Sequence, residues 1–168
     1  RTVACPNPAC GLDAPLVNSF NVCSKRGRET HVVPSFGPEG VDGYTVTKGL
    51  SPVEGTVGRT GARCIACQSP IPLTYVREEG KAGRIGRQLL CTVVDGGRNR
   101  EYLPPDDRAR LAADVPEPDD FPNVPLPAKA LGFRIQAYGF TVQRDFYAPR
   151  QQAVLMEFAR IAREARRK

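Results

Sequence analysis

The chain has 168 residues, and its 24 Lys and Arg against 18 Asp and Glu give a net charge of +6. That length holds one ordinary domain, or a small metal-stapled unit with appendages. With no Trp, 7% aromatic residues, and 16 each of Pro and Gly, a large conventional core is not expected, and short strands joined by turns are. The positive balance favours an anionic partner, as evidence about association and not about fold. No apolar run approaches the length that crosses a bilayer, so no membrane partner is expected.

Taken from the beginning, Cys5-Pro-Asn-Pro-Ala-Cys10-Gly is a tight turn that brings two thiols together. It has a counterpart in Arg63-Cys64-Ile-Ala-Cys67. The first pair is separated by four residues and the second by two, both within the range of structural zinc sites. Cys5, Cys10, Cys64 and Cys67 together would satisfy Zn²⁺ at tetrahedral geometry, with no position left for substrate or water. This reads as a closed structural site, with the choice between zinc and iron left open by the sequence. Reduced core thiols or two disulfides are the alternatives, and the paired spacings argue against them. Six cysteines with no signal peptide point to a reducing, cytoplasmic compartment. The abrupt start, without Met and with a ligand by the fifth residue, suggests a segment of a longer protein.

Between the knuckles the pattern is β. Leu16, Phe20 and Val22 fall on one face of a predicted strand, and Lys25-Arg26-Gly27-Arg28 reads as a hairpin tip. Thr30 to Val33 returns, Phe36 to Gly40 turns again, and Tyr44-Thr45-Val46-Thr47 makes a third strand. His31, the only histidine, reads as a surface strand end. Gly55-Thr56-Val57-Gly58-Arg59-Thr60-Gly61 leads into the second knuckle. A phosphate cradle there lacks the Lys-Ser/Thr of a P-loop, which favours a structural turn.

Beyond the second knuckle a short helix is expected from near Leu73 to Glu79, with Glu78 and Glu79 as its exposed end. Gly80, Gly83 and Gly86 then alternate with Lys81, Arg84 and Arg87. Gln88 to Val94 reads as a mostly buried strand that Asp95-Gly96-Gly97 turns into Arg100 to Leu103. Cys23 and Cys91 lie on predicted strands as small core residues, with a second metal site as the lesser alternative. Residues 101–126 carry seven acidic and two basic side chains, and include a short helix from Asp106 to Ala113 before a Pro-rich connector. From Arg150, the residues Val154, Leu155, Phe158, Ile161, Ala162 and Ala165 form an apolar helical stripe that calls for a partner surface.

These readings give an α+β, β-rich fold: an enlarged zinc ribbon with a four-cysteine site, an antiparallel β-meander and hairpin, then a C-terminal amphipathic helix. The expected divisions are 1–103 for the ribbon domain, 104–130 for the acidic connector and 131–168 for the terminal segment. Lys25, Arg26, Arg28, Arg59, Arg63, Lys81, Arg84 and Arg87 are the candidate phosphate contacts, because Gly-flanked cations can follow a nucleic-acid backbone closely. Ordinary solvated charge is the competing reading.

The order CPNPACG, PLVNSF, GTVGRTGARCIAC, PIPLTYVREEG, GFRIQAYG and FYAPRQQAVL resembles the adenine-specific DNA methylases that contain a zinc ribbon. The likeness runs over nearly the whole chain. It implies an insertion lying between the cofactor-binding part and the catalytic tetrapeptide of a parent enzyme. That parent would move a methyl group from S-adenosylmethionine to the exocyclic amine of adenine in DNA. The last motif usually reads Phe-Thr-Pro-Arg-Gln in that family, and Ala148 stands here in the Thr position.

The catalytic Asp/Asn-Pro-Pro-aromatic motif, which would hold a flipped base, fits neither Leu103-Pro104-Pro105-Asp106 nor Asn7-Pro8-Ala9. A glycine-rich cofactor turn is also missing. Only the four zinc ligands carry over. The segment alone is therefore expected to be no enzyme, with DNA and the remainder of the methylase as its partners and S-adenosylmethionine bound only by the parent.

Overall fold

A computed structural model describes residues 1–37, 40–127 and 135–167. The fold is α+β and β-rich, and the chain divides into two compact units, Arg1–Asp106 and Asp107–Lys168.

The first unit is built on a five-stranded mixed sheet, in the order β1-β2-β5-β4-β3. Strands β1 (Thr2–Ala4) and β2 (Asp13–Pro15) form an antiparallel hairpin whose loop is the first cysteine knuckle. Strands β3 (Asn21–Cys23), β4 (Thr30–Gly37) and β5 (Gly40–Lys48) form the expected antiparallel meander, with the Lys25–Arg28 turn at one tip. The turn expected from Phe36 to Gly40 falls partly on residues 38 and 39, outside those described. Phe36, Gly37 and Gly40 themselves belong to the paired strands. The meander joins the knuckle hairpin through one parallel pairing, Asp13 to Gly40, so the sheet is mixed.

A second hairpin, β6 (Gly61–Arg63) and β7 (Pro70–Pro72), is looped by the second knuckle. Helix α1 (Leu73–Lys81) follows directly and rests against it, burying Val76. The chain then returns to the sheet edge, where Thr2 and Gly86 exchange both backbone hydrogen bonds, at 3.0 and 2.9 Å. The hairpin signalled by Asp95-Gly96 forms between β8 (Thr92–Asp95) and β9 (Arg100–Leu103).

The core is small, as the aromatic content implies. Phe20, Val32 and Tyr44 form one enclosed cluster, with Val17, Val22, Val46, Ile65 and Leu90 against them, and Val3, Ala14 and Ile71 are buried as well. Tyr44 donates its hydroxyl to Gln88 Oε1 at 2.9 Å, and Gln88 Nε2 donates in turn to the Val41 carbonyl at 2.6 Å. Burial pushes the Tyr44 phenol up to about 12, so it stays a neutral donor.

Several expectations are corrected here. The stretch from Leu16 to Val22 is not one strand: β3 begins only at Asn21, and Phe20 enters the core from the segment before it. Gln88 to Val94 is not a mostly buried strand, because only Thr92–Asp95 pairs and Val93 and Val94 are exposed. A β-branched run specifies extended backbone, but its burial depends on a facing layer, and β8–β9 is a two-stranded sheet of its own. His31 is buried instead of lying at a surface strand end, with Nδ1 2.9 Å from the Gly49 carbonyl. Helix α1 runs through Gly80 to Lys81, and Glu79 is only 8% exposed, with its carboxylate held by Arg84.

The second unit contains α2 (Asp107–Ala113), the Pro-rich segment, two 3₁₀ turns (Ile135–Tyr138 and Gln143–Phe146) and α3 (Pro149–Arg166). Residues 132–134, the start of the GFRIQAYG motif, lie outside those described. Phe121 packs edge-on against Tyr147, with ring centroids 5.6 Å apart. Helix α3 starts behind Ala148, whose amide donates to Gln151 Oε1 at 2.8 Å. Ala148 has no side-chain oxygen to return the cap, whereas a Thr there could. Along α3 only Gln152 is buried, while Val154, Leu155, Phe158 and Ile161 are 42–64% exposed. No helix among the described residues is long and apolar enough to cross a membrane.

Candidate metal centre

The two hairpins bring their loops face to face. The candidate sulfurs of Cys5, Cys10, Cys64 and Cys67 all lie within 4.8 Å of one another. Cys5 Sγ is 3.7 Å from Cys67 Sγ, and Cys10 Sγ is 3.9 Å from Cys64 Sγ. A tetrahedron with metal–sulfur arms of ~2.3 Å has sulfur–sulfur edges of about 3.8 Å, so the spacing fits one ion of that size. It does not fit disulfides, whose sulfurs sit about 2.05 Å apart, and all six cysteines are free thiols. Among the described residues, no other group of three or more His, Cys, Asp or Glu side chains converges in this way.

Each loop is shaped by hydrogen bonds that its own sequence provides. In the first, the amides of Cys10 and Gly11 both donate to the Asn7 carbonyl at 2.9 Å, and Cys5 N donates to the Leu12 carbonyl at 2.9 Å. In the second, Gln68 N donates to the Cys64 carbonyl and Cys64 N to the Ser69 carbonyl, both at 2.9 Å. The residue after the last cysteine takes the left-handed conformation in both, Gly11 at φ 59° and Gln68 at φ 62°. The sequence supplies glycine for the first and a side chain that must tolerate the strain for the second.

Hydrogen bonds also prepare the sulfurs. The amides of Asn7, Leu12 and Ser69 donate to Cys5, Cys10 and Cys67, in each case two residues upstream. The Ser69 hydroxyl, with its amide second, pulls the Cys67 thiol down to about 6. Burial pushes the Cys5 thiol up to about 12, so that sulfur needs a cation beside it to stay ionised. A divalent metal ion among the four thiolates would supply that charge, and a site of four sulfurs is closed to catalytic water.

Asn7 and Ser69 were not singled out from the sequence. Asn7 Nδ2 donates to Ser69 Oγ at 3.1 Å and lies 3.8 Å from Cys67 Sγ, which ties the first knuckle to the second. The only signal was an Asn between two prolines inside a cysteine loop, and its partner lies 62 residues away. The Gly55–Gly61 stretch positions the second hairpin. Thr56 Oγ1 donates to the Pro15 carbonyl at 2.5 Å and accepts from Val17 N at 3.0 Å. Gly61 passes so close to the Ile71 carbonyl that a Cβ would collide with backbone.

Cys23, Cys91 and His31 lie outside the cluster. The eight candidate phosphate contacts are all exposed. Lys25 and Arg28 line one depression, Arg63 a second beside the metal loop, and Arg87 a third near Asp13 and Asp42. Arg84 is occupied by a two-pronged ion pair with Glu79, at 2.6 and 2.8 Å. Arg26 shares the β3–β4 turn with Lys25 and Arg28, Arg59 sits on the loop before β6, and Lys81 ends α1.

The arrangement is therefore a four-cysteine cluster compatible with zinc, held between two β-hairpins. No protein-family model, characterised protein or solved structure matches the chain, and the cluster's own geometry carries its assignment.

Proposed function

We propose that the Arg1–Asp106 unit is a structural zinc module, and that the chain serves as the zinc-ribbon insert of an S-adenosylmethionine-dependent adenine-specific DNA methyltransferase, where it aids DNA binding or target positioning. The convergence of four sulfurs from two hairpins is the observation that carries the metal assignment. Zinc would join segments some 60 residues apart and add its binding energy to a core with few large side chains. Support for the methylase reading is the motif order from CPNPACG to FYAPRQQAVL. Support for a DNA role is the set of exposed cations on the β3–β4 turn and the neighbouring loops. The chemistry of methyl transfer is assigned to the parent, because the catalytic tetrapeptide has no counterpart here.

A salt-titrated binding measurement on duplex DNA tests the DNA role. The expectation is affinity that weakens steeply with salt; no affinity even at low salt would remove that role and leave the metal assignment standing.

A second reading has its own support. The exposed stripe of Val154, Leu155, Phe158 and Ile161 on α3 suits a brace that packs on the remainder of a methylase and touches no DNA. Charge removal from the basic turns separates the two. Unchanged DNA affinity and unchanged methylation in the full enzyme would favour the brace.

A further inference from the structure

The β3–β4 turn, the end of β5 and the tip of the β8–β9 hairpin enclose a groove of about 1020 Å³. Five cations line it from three separate segments: Lys25 and Arg28, Lys48, and Arg98 with Arg100. Lys48, Arg98 and Arg100 were not among the candidates drawn from the sequence. All five are exposed, and none forms an ion pair among the described residues. Three carboxylates, Glu29, Asp95 and Glu101, line the same groove and leave it positive.

We infer that this groove is the track for a nucleic-acid phosphate backbone, with Lys48, Arg98 and Arg100 as contacts in addition to Lys25 and Arg28. This rests on the DNA-binding reading above and gives it a location.

Three features favour a polymer over a small anion. The cations come from three separate segments of the chain, and their side chains are exposed instead of buried. The groove is as large as a whole small-molecule site but is open to solvent, and most of the residues lining it are polar or charged. Finally, two of the three lining segments are the tips of antiparallel hairpins, which carry long cationic side chains into solvent. Unpaired cations around such a groove lower the potential energy of nearby phosphates and release the counterions condensed on them. Such contacts hold and orient a strand without reading its sequence.

The test uses the whole chain and a fluorescently labelled duplex, with affinity measured by anisotropy over a salt series. Lys48→Ala/Arg98→Ala/Arg100→Ala is compared with Arg163→Ala/Arg166→Ala on α3, exposed cations that do not line the groove. Circular dichroism and thermal melting establish that both variants fold. The groove variant is expected to lose at least about tenfold in affinity at low salt, with the slope of log K against log salt shallower by about 2 to 3. The other variant is expected to keep the slope nearly unchanged. Wild-type binding with an unaltered slope in the groove variant overturns the groove and leaves a DNA role elsewhere on the surface. No wild-type binding at low salt overturns both. Stronger loss in Arg163→Ala/Arg166→Ala than in the groove variant moves the contact to α3 and overturns the groove.

Discussion

Cys5 and Cys67 bring their sulfurs to 3.7 Å across 62 residues of chain, while Cys10 meets Cys64 at 3.9 Å. Each knuckle therefore gives one sulfur to each of two cross-hairpin pairs. Neither hairpin can move away without opening both pairs, so an ion at their centre would hold the β1–β2 edge of the sheet to β6–β7.

Asn7 strengthens the same junction from outside the sulfur cluster. Its amide reaches Ser69 Oγ at 3.1 Å, and Ser69 in turn directs its hydroxyl at Cys67. Asn7→Ala is expected to leave the four ligands in place and weaken zinc affinity by about 10- to 100-fold, as removal of outer hydrogen-bond partners does at other zinc sites. Competition with a chromophoric chelator measures it. Affinity equal to wild type would show that Asn7 only shapes its own loop.

Gln68 occupies the left-handed position that Gly11 fills in the first knuckle. Its side chain recovers part of the strain by donating Nε2 to the Ile65 carbonyl at 3.0 Å. Gln68→Gly is expected to raise stability of the metal-loaded protein by up to about 1 kcal/mol, read as a higher melting temperature. A drop would mean that the Ile65 bond outweighs the backbone cost.

The Glu79–Arg84 pair makes acid stability specific. Arg84 holds the Glu79 carboxyl below its ordinary value of 4.5, chiefly through their hydrogen bonds. A carboxyl depressed in the folded state contributes stability that is present above the ordinary value and is lost as pH falls through the lower, folded one. Wild type is therefore expected to melt higher than Glu79→Gln at neutral pH, with the two curves converging below about pH 4. Parallel curves down to low pH would contradict the assignment. Both proteins must be compared at equal metal loading, since the thiolates also take up protons in acid.

Sequence and structure agree where local chemistry decides. The two cysteine spacings, the Asp95-Gly96 turn, and the Pro149 start of α3 each carry their own geometry, and each forms. What escaped the sequence depends on partners distant in the chain. The parallel Asp13–Gly40 pairing that makes the sheet mixed has no local signal. His31 sits buried because Gly49, 18 residues on, offers its carbonyl. Glu79 is enclosed because α1 continues past Gly80 and Arg84 folds back onto it. Val93 and Val94 illustrate the reverse, since their apolar character could not reveal that β8–β9 lacks a covering layer. For the metal centre, four ligands were legible from spacing, whereas the Asn7–Ser69 bridge required the loops to be placed together.

Elemental analysis of the purified protein, paired with a native thiol count, addresses the central claim most directly. The account predicts about one zinc per chain, with the four clustered thiols protected from a thiol reagent and the metal retained in Cys23→Ser. In Cys64→Ser the metal and the folded β-rich unit are lost together, because binding energy of ~10–16 kcal/mol in comparable sites is folding energy. Metal-free protein that is fully folded, with the thiols of Cys5, Cys10, Cys64 and Cys67 free to react, would contradict it.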